Sequence, residues 1–162
     1  MERIAGRAKI TKPVLYDHFS SKQALFLAVL EAIRDELIGR GTSIAKSHQD
    51  PEEKFRRGVD VFLEFVEQQP SAARVLLTVP RGDPLAAKLA REVQAGATAG
   101  ISRLLISYMP GGQSWCLEVA AEFLKEGLHA IGRWWLENPG PSREEISEVV
   151  MRIVWVGFSR QR

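Results

Sequence analysis

The sequence predicts an all-α protein, and two observations support this fold class. Apolar residues recur at the three- and four-residue spacing of amphipathic helices. No sustained run of alternating β-branched residues, which a sheet would need, interrupts that spacing. Start signals and breaks rich in Gly and Pro divide the 162 residues into eight predicted helices, at about 2–8, 12–18, 21–46, 51–69, 71–78, 84–108, 114–137 and 142–159.

The helix starts are marked by capping residues. Asp50 precedes Pro51 and Glu53, which supplies an N-cap, a proline at the first helical position and an acid in the first turn. The segments 83–84 and 142–145 repeat this arrangement. Either Ser20 or Ser21 caps the helix predicted at 21–46.

Composition excludes several classes of protein. No apolar run approaches the roughly 20 residues needed to cross a bilayer. Cys116 is the only cysteine, which excludes an intrachain disulfide framework and fits a cytoplasmic protein. The net charge is +2, but residues 1–22 carry +3, from Arg3, Arg7, Lys9, Lys12 and Lys22 against Glu2 and Asp17. A polyanion would therefore bind at the N-terminus.

The first two predicted helices form a candidate helix-turn-helix. They are short, they are joined by a tight turn, and their surface is basic. Thr11 is the expected N-cap of the second helix, and Pro13 falls in its first turn, where a missing N–H costs no intrahelical bond. The free N–H groups of that turn, with Lys12 beside them, suit a phosphate.

The stretch RIAGRAKITKPVLYDHFSSKQALFLAVL, residues 3–30, resembles the DNA-binding signature of tetracycline-repressor-type (TetR family) transcription regulators. The matching positions are Ile4, Ala5, Ala8, Ile10, Thr11, Pro13, Leu15, Tyr16, His18, Phe19, Ser21, Lys22 and Leu25. Lys9 stands where the family usually has a Gly that needs positive φ, at a cost on the order of 1 kcal/mol. The resemblance implies a homodimer whose two helix-turn-helix units enter successive major grooves of a double-stranded DNA operator.

The resemblance also implies which residues contact DNA. Phosphate contacts are expected from Thr11, Lys12, Tyr16, His18 and Lys22, and base contacts from Pro13, Val14 and Asp17. Two local alternatives stay open: Tyr16 can be half-buried packing, and His18 can stack on its neighbours. Asp17 either accepts from cytosine N4 or repels phosphate.

The family's DNA-binding domain has three helices, so the resemblance implies a further helix before residue 2. We expect the natural protein to begin upstream of Met1. Two functions follow as alternatives. The first is a ligand-responsive regulator, usually a repressor, that binds a palindromic operator as a dimer. The second is a helical dimeric small-molecule sensor or interaction protein that does not bind DNA.

The resemblance implies a division into a partial DNA-binding domain at 1–22, a linking helix at 23–46, and an effector-binding and dimerisation domain at 47–162. A small apolar effector is expected between the middle helices, where core packing is the alternative role of each candidate: Phe62, Phe65, Val66, Leu77, Val93, Ala97, Ile101, Tyr108, Phe123 and Trp134. Small residues at 96, 97, 99 and 100 either allow close helix packing or leave room for a ligand.

Helices 114–137 and 142–159 have apolar surfaces too wide for one packing partner. Packed against their copies across a two-fold axis, they would form a four-helix interface. The candidate interface residues are Trp115, Val119, Ile131, Ile146, Val149, Val150, Ile153, Val154 and Phe158.

Catalytic and metal chemistry is not indicated. Glu126 and His129 have the Glu-x-x-His spacing of a di-metal helix, with Glu122 one turn earlier, but no second such motif is present. The histidines and Cys116 form no recognisable pair of nucleophile and base. We therefore expect neither an enzyme nor a metal or cofactor site.

Overall fold

The computed structural model describes residues 1–78, 82–106, 109, 111 and 113–159, with the side chains of 156–159 left out. These residues form eight α-helices and no strand, which confirms the predicted fold class. The helices are α1 (Glu2–Ala8), α2 (Lys12–His18), α3 (Lys22–Ala45), α4 (Pro51–Gln68), α5 (Pro70–Leu77), α6 (Pro84–Leu105), α7 (Ser114–Glu137) and α8 (Arg143–Ser159).

The predicted caps are present at most helix starts. The Asp50 side chain accepts from the backbone N–H groups of residues 52 and 53, and that of Asp83 accepts from Ala86. Ser21, not Ser20, caps α3 through the Ala24 N–H. Residues 142 and 145 form a reciprocal capping box. Thr11 is the N-cap of α2 by position, although its side chain makes no capping bond.

Helices α3 to α8 form the body of the protein. Helix α4 lies at its centre and packs against α3, α5, α7 and α8. Its residues Leu63 and Phe65 are almost completely buried. Helix α8 packs on α4, whereas α7 packs on α4, α5 and α6. None of the described helices is long and apolar enough to cross a bilayer.

Helices α3 and α6 run side by side in the same direction. A Cβ added at Gly100 would lie 2.8 Å from Ile38 Cδ1, and one added at Gly41 would lie 2.9 Å from Leu104 Cδ1. A Cβ added at Gly96 would lie 3.2 Å from the terminal Nη1 of the Arg34 side chain. These three glycines let the two helices approach closely, and we call this contact the glycine seam. Of the two roles left open for Gly96 and Gly100, the structure shows close packing.

Candidate DNA-binding and effector sites

The N-terminal head, defined as α1, α2 and the turn between them, has a small core made by Ala5 and Leu15, the buried residues of its two helices. Lys9 ends α1 in the left-handed conformation, with φ 55° and ψ 35°. The turn is closed by backbone bonds from the Lys9 and Ile10 N–H groups to the carbonyls of Gly6 and Ala5. The positive φ expected at Lys9 is therefore present.

Replacing Lys9 by glycine is expected to stabilise the head by about 1 kcal/mol, because glycine adopts this conformation without the strain that a Cβ brings. Hydrogen exchange of the α1 and α2 amides should slow accordingly. Lys46→Gly is the matched control, since Lys46 ends α3 with an ordinary φ of −83°. Slower exchange in both variants, or in neither, would contradict the strain at Lys9.

The residues predicted to contact DNA all lie on the surface of the head or at the start of α3. Each one is exposed: Thr11, Lys12, Pro13, Val14, Tyr16, Asp17, His18 and Lys22. Tyr16 is 45 % exposed, so its ring is open to a partner. His18 lies near the Phe19 ring, with centroids 6.4 Å apart and planes tilted by 53°. The candidate DNA contacts therefore lie on α2, on its N-cap and on the first residue of α3, all within residues 11–22.

A hydrogen bond joins the start of α3 to the start of α6. Gln23 Nε2 donates to Asp83 Oδ2 at 2.9 Å. Bonds from the Ala86 backbone N–H and from Gln23 lower the pKa of the Asp83 carboxyl, and nearby Lys22 adds to this. Asp83 therefore caps α6 and holds Gln23, the residue next to a predicted phosphate contact.

A cavity of about 170 Å³ lies between α3, α4, α6 and α7. Its walls are mostly apolar, and four of the ten predicted pocket residues contribute to them, namely Phe62, Val93, Ala97 and Ile101. Phe65, Val66 and Leu77 are instead buried in the core. Tyr108 lies outside the described residues.

Phe123 and Trp134 are not in the cavity. Both are exposed, at 64 % and 49 %. Each lies one residue before a buried residue of α7, Phe123 before Leu124 and Trp134 before Trp135. One residue corresponds to about 100° around the helix axis, so both point away from the core. They share the exposed face of α7 with Trp115 and Val119. Their predicted place in the pocket is therefore corrected to the outer surface.

The residues predicted at a dimer interface fall into two groups. Trp115, Val119, Val149 and Ile153 are exposed large apolar residues. Ile146 and Val150 belong to the protomer's own core, and Ile131 and Val154 pack against it. The Phe158 side chain lies outside the described part. Exposed apolar surface thus remains on one face each of α7 and α8, as the width of the sequence pattern predicted.

Polar residues in the cavity wall were missed by the sequence analysis. Gln94, Lys125 and His129 all line the cavity. Lys125 is buried, and its amine lies 2.9–3.0 Å from Thr98 Oγ1 and both Glu122 carboxylate oxygens. The signal was available, since Gln94 and Lys125 lie at helical spacing from predicted pocket or core residues. Gln and Lys on an amphipathic helix, however, indicate a solvated face.

His129 is buried, and its ring stacks on Phe62 with centroids 5.7 Å apart. Burial lowers its pKa to about 4, with Lys125 and Arg133 adding to the effect and Glu126 and Glu122 opposing it. The imidazole is therefore neutral at pH 7. Glu122 and Glu126 pair with Lys125, and the described residues hold no group of three metal-ligating side chains.

Comparison with known proteins agrees with this arrangement. The profile of the family described as "Bacterial regulatory proteins, tetR family" matches residues 1–29. The HTH-type transcriptional activator FasR of Mycolicibacterium smegmatis is 31% identical over 169 aligned positions, covering 98% of this chain and 73% of FasR. The nucleoid occlusion factor SlmA of Citrobacter koseri is 34% identical over 74 residues, covering 46% of this chain and 37% of SlmA.

Two solved structures share the fold. The fatty acid degradation regulator FadR from Bacillus halodurans superposes with a TM-score of 0.80 at 16% identity, covering 94% of this chain and 84% of FadR. A TetR/AcrR-family regulator from Thermobifida fusca gives 0.57 at 22% identity, covering 94% and 82%. The exposed helix-turn-helix, the helical body and the FasR match together establish that the chain belongs to the TetR family of transcription regulators.

Proposed function

We propose that this TetR-family regulator binds a palindromic operator in the cytoplasm as a homodimer and releases it when a small apolar effector binds. The observation that carries the proposal is the head itself. Its eight candidate DNA contacts are exposed on a basic surface, within and beside the segment that matches the family profile. Repression is the first candidate output, because a dimer that occupies an operator excludes other proteins from that DNA.

The exposed apolar faces of α7 and α8 support the homodimer. Trp115, Val119 and Phe123 recur at intervals of four residues on α7 and are each at least 60 % exposed. A second copy of the same face would remove this surface from water, and each large side chain would contribute roughly 1.5–3 kcal/mol on full burial. Two-fold symmetry would then present two heads to two half-sites.

The effector route rests on the placement of the cavity. The C-terminal halves of α3 and α6 form part of its wall, beside the glycine seam, and these two helices run in parallel from the end that carries the head. An effector that separates their C-terminal halves would rotate α3 and change the spacing of the two heads. DNA and effector would then oppose each other by reciprocal coupling. The Gln23–Asp83 hydrogen bond would carry part of this motion from α6 to Lys22.

The test of DNA binding uses the purified protein and DNA from upstream of its own gene. Lys22→Ala should weaken operator binding at every salt concentration and reduce the slope of log K against log salt by about 1, as expected for one lost phosphate contact. Lys88→Ala is the control, because Lys88 is an exposed lysine on α6 with a carboxylate partner, Glu92. Absence of salt-dependent binding to any of this DNA would favour the sensor that does not bind DNA. Equal losses in both variants would show that Lys22 makes no phosphate contact.

A second candidate output is activation, and one observation favours it. The relative that covers 98% of this chain is named a transcriptional activator. Transcription in vitro from the operator-bearing promoter separates the two. Repression predicts more transcript when the protein is omitted, whereas activation predicts less.

A further inference from the structure

One polar atom of a residue that lines the cavity has no hydrogen-bond partner within the described part of the chain. Gln94 Oε1 is buried and makes no hydrogen bond within the described part of the chain. Gln94 lines the cavity, and the walls of the cavity are otherwise mostly apolar. Buried acceptors in native proteins are satisfied in the great majority of cases, since leaving one unpaired costs the desolvation of that group. A bound molecule with an O–H or N–H group would satisfy it once the side chain turns Oε1, which is buried from the cavity as well as from solvent, to the cavity surface.

The charges around the cavity are already compensated, with one exception. Arg34 Nε lies 2.8 Å from Asp35 Oδ1. The Lys125 amine is paired with Glu122 and Glu126, and His129 is neutral. The exception is Lys54, whose amine donates to the Ala45 carbonyl at 3.2 Å. A buried anion would find one positive charge without a carboxylate partner among the described residues, that of Lys54, and the desolvation of the anion would oppose its binding.

We propose that the cavity selects a neutral, mainly apolar molecule that bears one hydroxyl, which donates to Gln94 Oε1. Apolar phenols and alcohols form this class. The inference rests on the proposed effector site and adds the chemistry of its ligand. A cavity of about 170 Å³ is comparable with cavities of about 150 Å³ that hold benzene. A substituted phenol is therefore of suitable size.

The probes are 4-ethylphenol, its methyl ether 4-ethylanisole, ethylbenzene and 4-ethylbenzoate. The first has a donor, the next two have none, and the last is an anion. Gln94→Met keeps the length of the side chain and removes the acceptor, with Gln94→Leu as a second variant in case the first folds poorly. Gln68→Met is the control, because Gln68 is exposed at the end of α4. Dissociation constants are measured by calorimetry.

We expect Gln94→Met to weaken 4-ethylphenol about tenfold, and to change ethylbenzene and 4-ethylanisole by less than twofold. For each probe, the dissociation constant of the variant is divided by that of the wild type, so differences in hydration between the probes cancel. Ligand-free Gln94→Met should also melt at a higher temperature than the wild type, whereas Gln68→Met should not, because only the former removes a buried unpaired acceptor.

Three results would overturn the inference. Equal losses for 4-ethylphenol and ethylbenzene would do so and leave the proposed effector site intact. Tightest binding of 4-ethylbenzoate, abolished by Lys54→Met, would show instead that the cavity selects an anion. Failure of every probe to bind would remove both the inference and the effector site on which it rests.

Discussion

Phe123→Glu is expected to convert the protein to a monomer and to weaken its binding to a two-half-site operator by about 100-fold or more. Phe123 is 64 % exposed on the outer face of α7, so a glutamate there costs the protomer little. In a dimer, two carboxylates would be buried in an apolar interface without partners, which is strongly unfavourable. Losing the second head then removes the gain from bivalent binding, which is typically 10²–10⁴-fold.

Ile106→Glu is the matched control for Phe123→Glu. Ile106 is also an exposed apolar residue, at 55 %, but it follows α6 at the end away from the head. Sedimentation velocity gives the oligomeric state, and titration of a full operator and a single half-site gives the affinities. Phe123→Glu should lose affinity for the full operator only. A dimer that persists in Phe123→Glu would place the interface elsewhere.

The second large effect is a loss of stability in mild acid through His129. Its folded-state pKa is about 4, whereas the unfolded chain has the ordinary value near 6.5. Below pH 6.5 the unfolded chain takes up a proton that folded His129 does not, so the free energy of unfolding falls as the pH drops. The expected loss from this group is about 2 kcal/mol between pH 7 and 5 and about 3 kcal/mol by pH 4.

Urea unfolding at pH 7, 6 and 5 measures this loss. His129→Phe keeps an aromatic ring against Phe62 and removes the titration, so its stability should vary much less over the same range. His48→Phe is the control, because His48 is exposed between α3 and α4. The chosen window stays above the range in which carboxyls of lowered pKa, such as Glu122, take up protons. If the free energy of unfolding of His129→Phe falls with pH as steeply as that of the wild type, His129 does not cause the acid sensitivity.

The positions of the helices were predictable because their signals are local. Proline and capping residues fix the starts of α4, α6 and α8, and the predicted bounds lie within about three residues of those observed. The left-handed turn at Lys9 was predictable as well, because the family resemblance marks a glycine position there. Both kinds of signal act within a few residues of chain.

The side of α7 that faces the core was harder to predict. Its sequence carries bulky apolar residues around most of its circumference, so helical spacing alone does not distinguish Phe123 and Trp134, which are exposed, from Leu124 and Trp135, which are buried. The polar residues of the cavity wall were not predicted because their burial depends on contacts with other helices. Lys125 lies at helical spacing from core residues, but a lysine there indicates a solvated face. It is buried because Thr98, on another helix, and Glu122 satisfy its amine, and the sequence of α7 alone does not show the contact with Thr98.

The glycine seam has a consequence for genetics. Gly96 and Gly100 are neither predicted DNA contacts nor cavity-lining residues. A Cβ at Gly100 would lie 2.8 Å from Ile38 Cδ1, so a side chain there would strain the contact between α3 and α6, whereas one at Gly96 would displace the Arg34 side chain. A screen for regulators fixed in one transcriptional state should therefore recover substitutions at these two glycines as well as in the head and the cavity. Such alleles would leave every predicted DNA contact in place but displace Arg34 or Ile38 in the cavity wall, and so would alter the correspondence between signal and response.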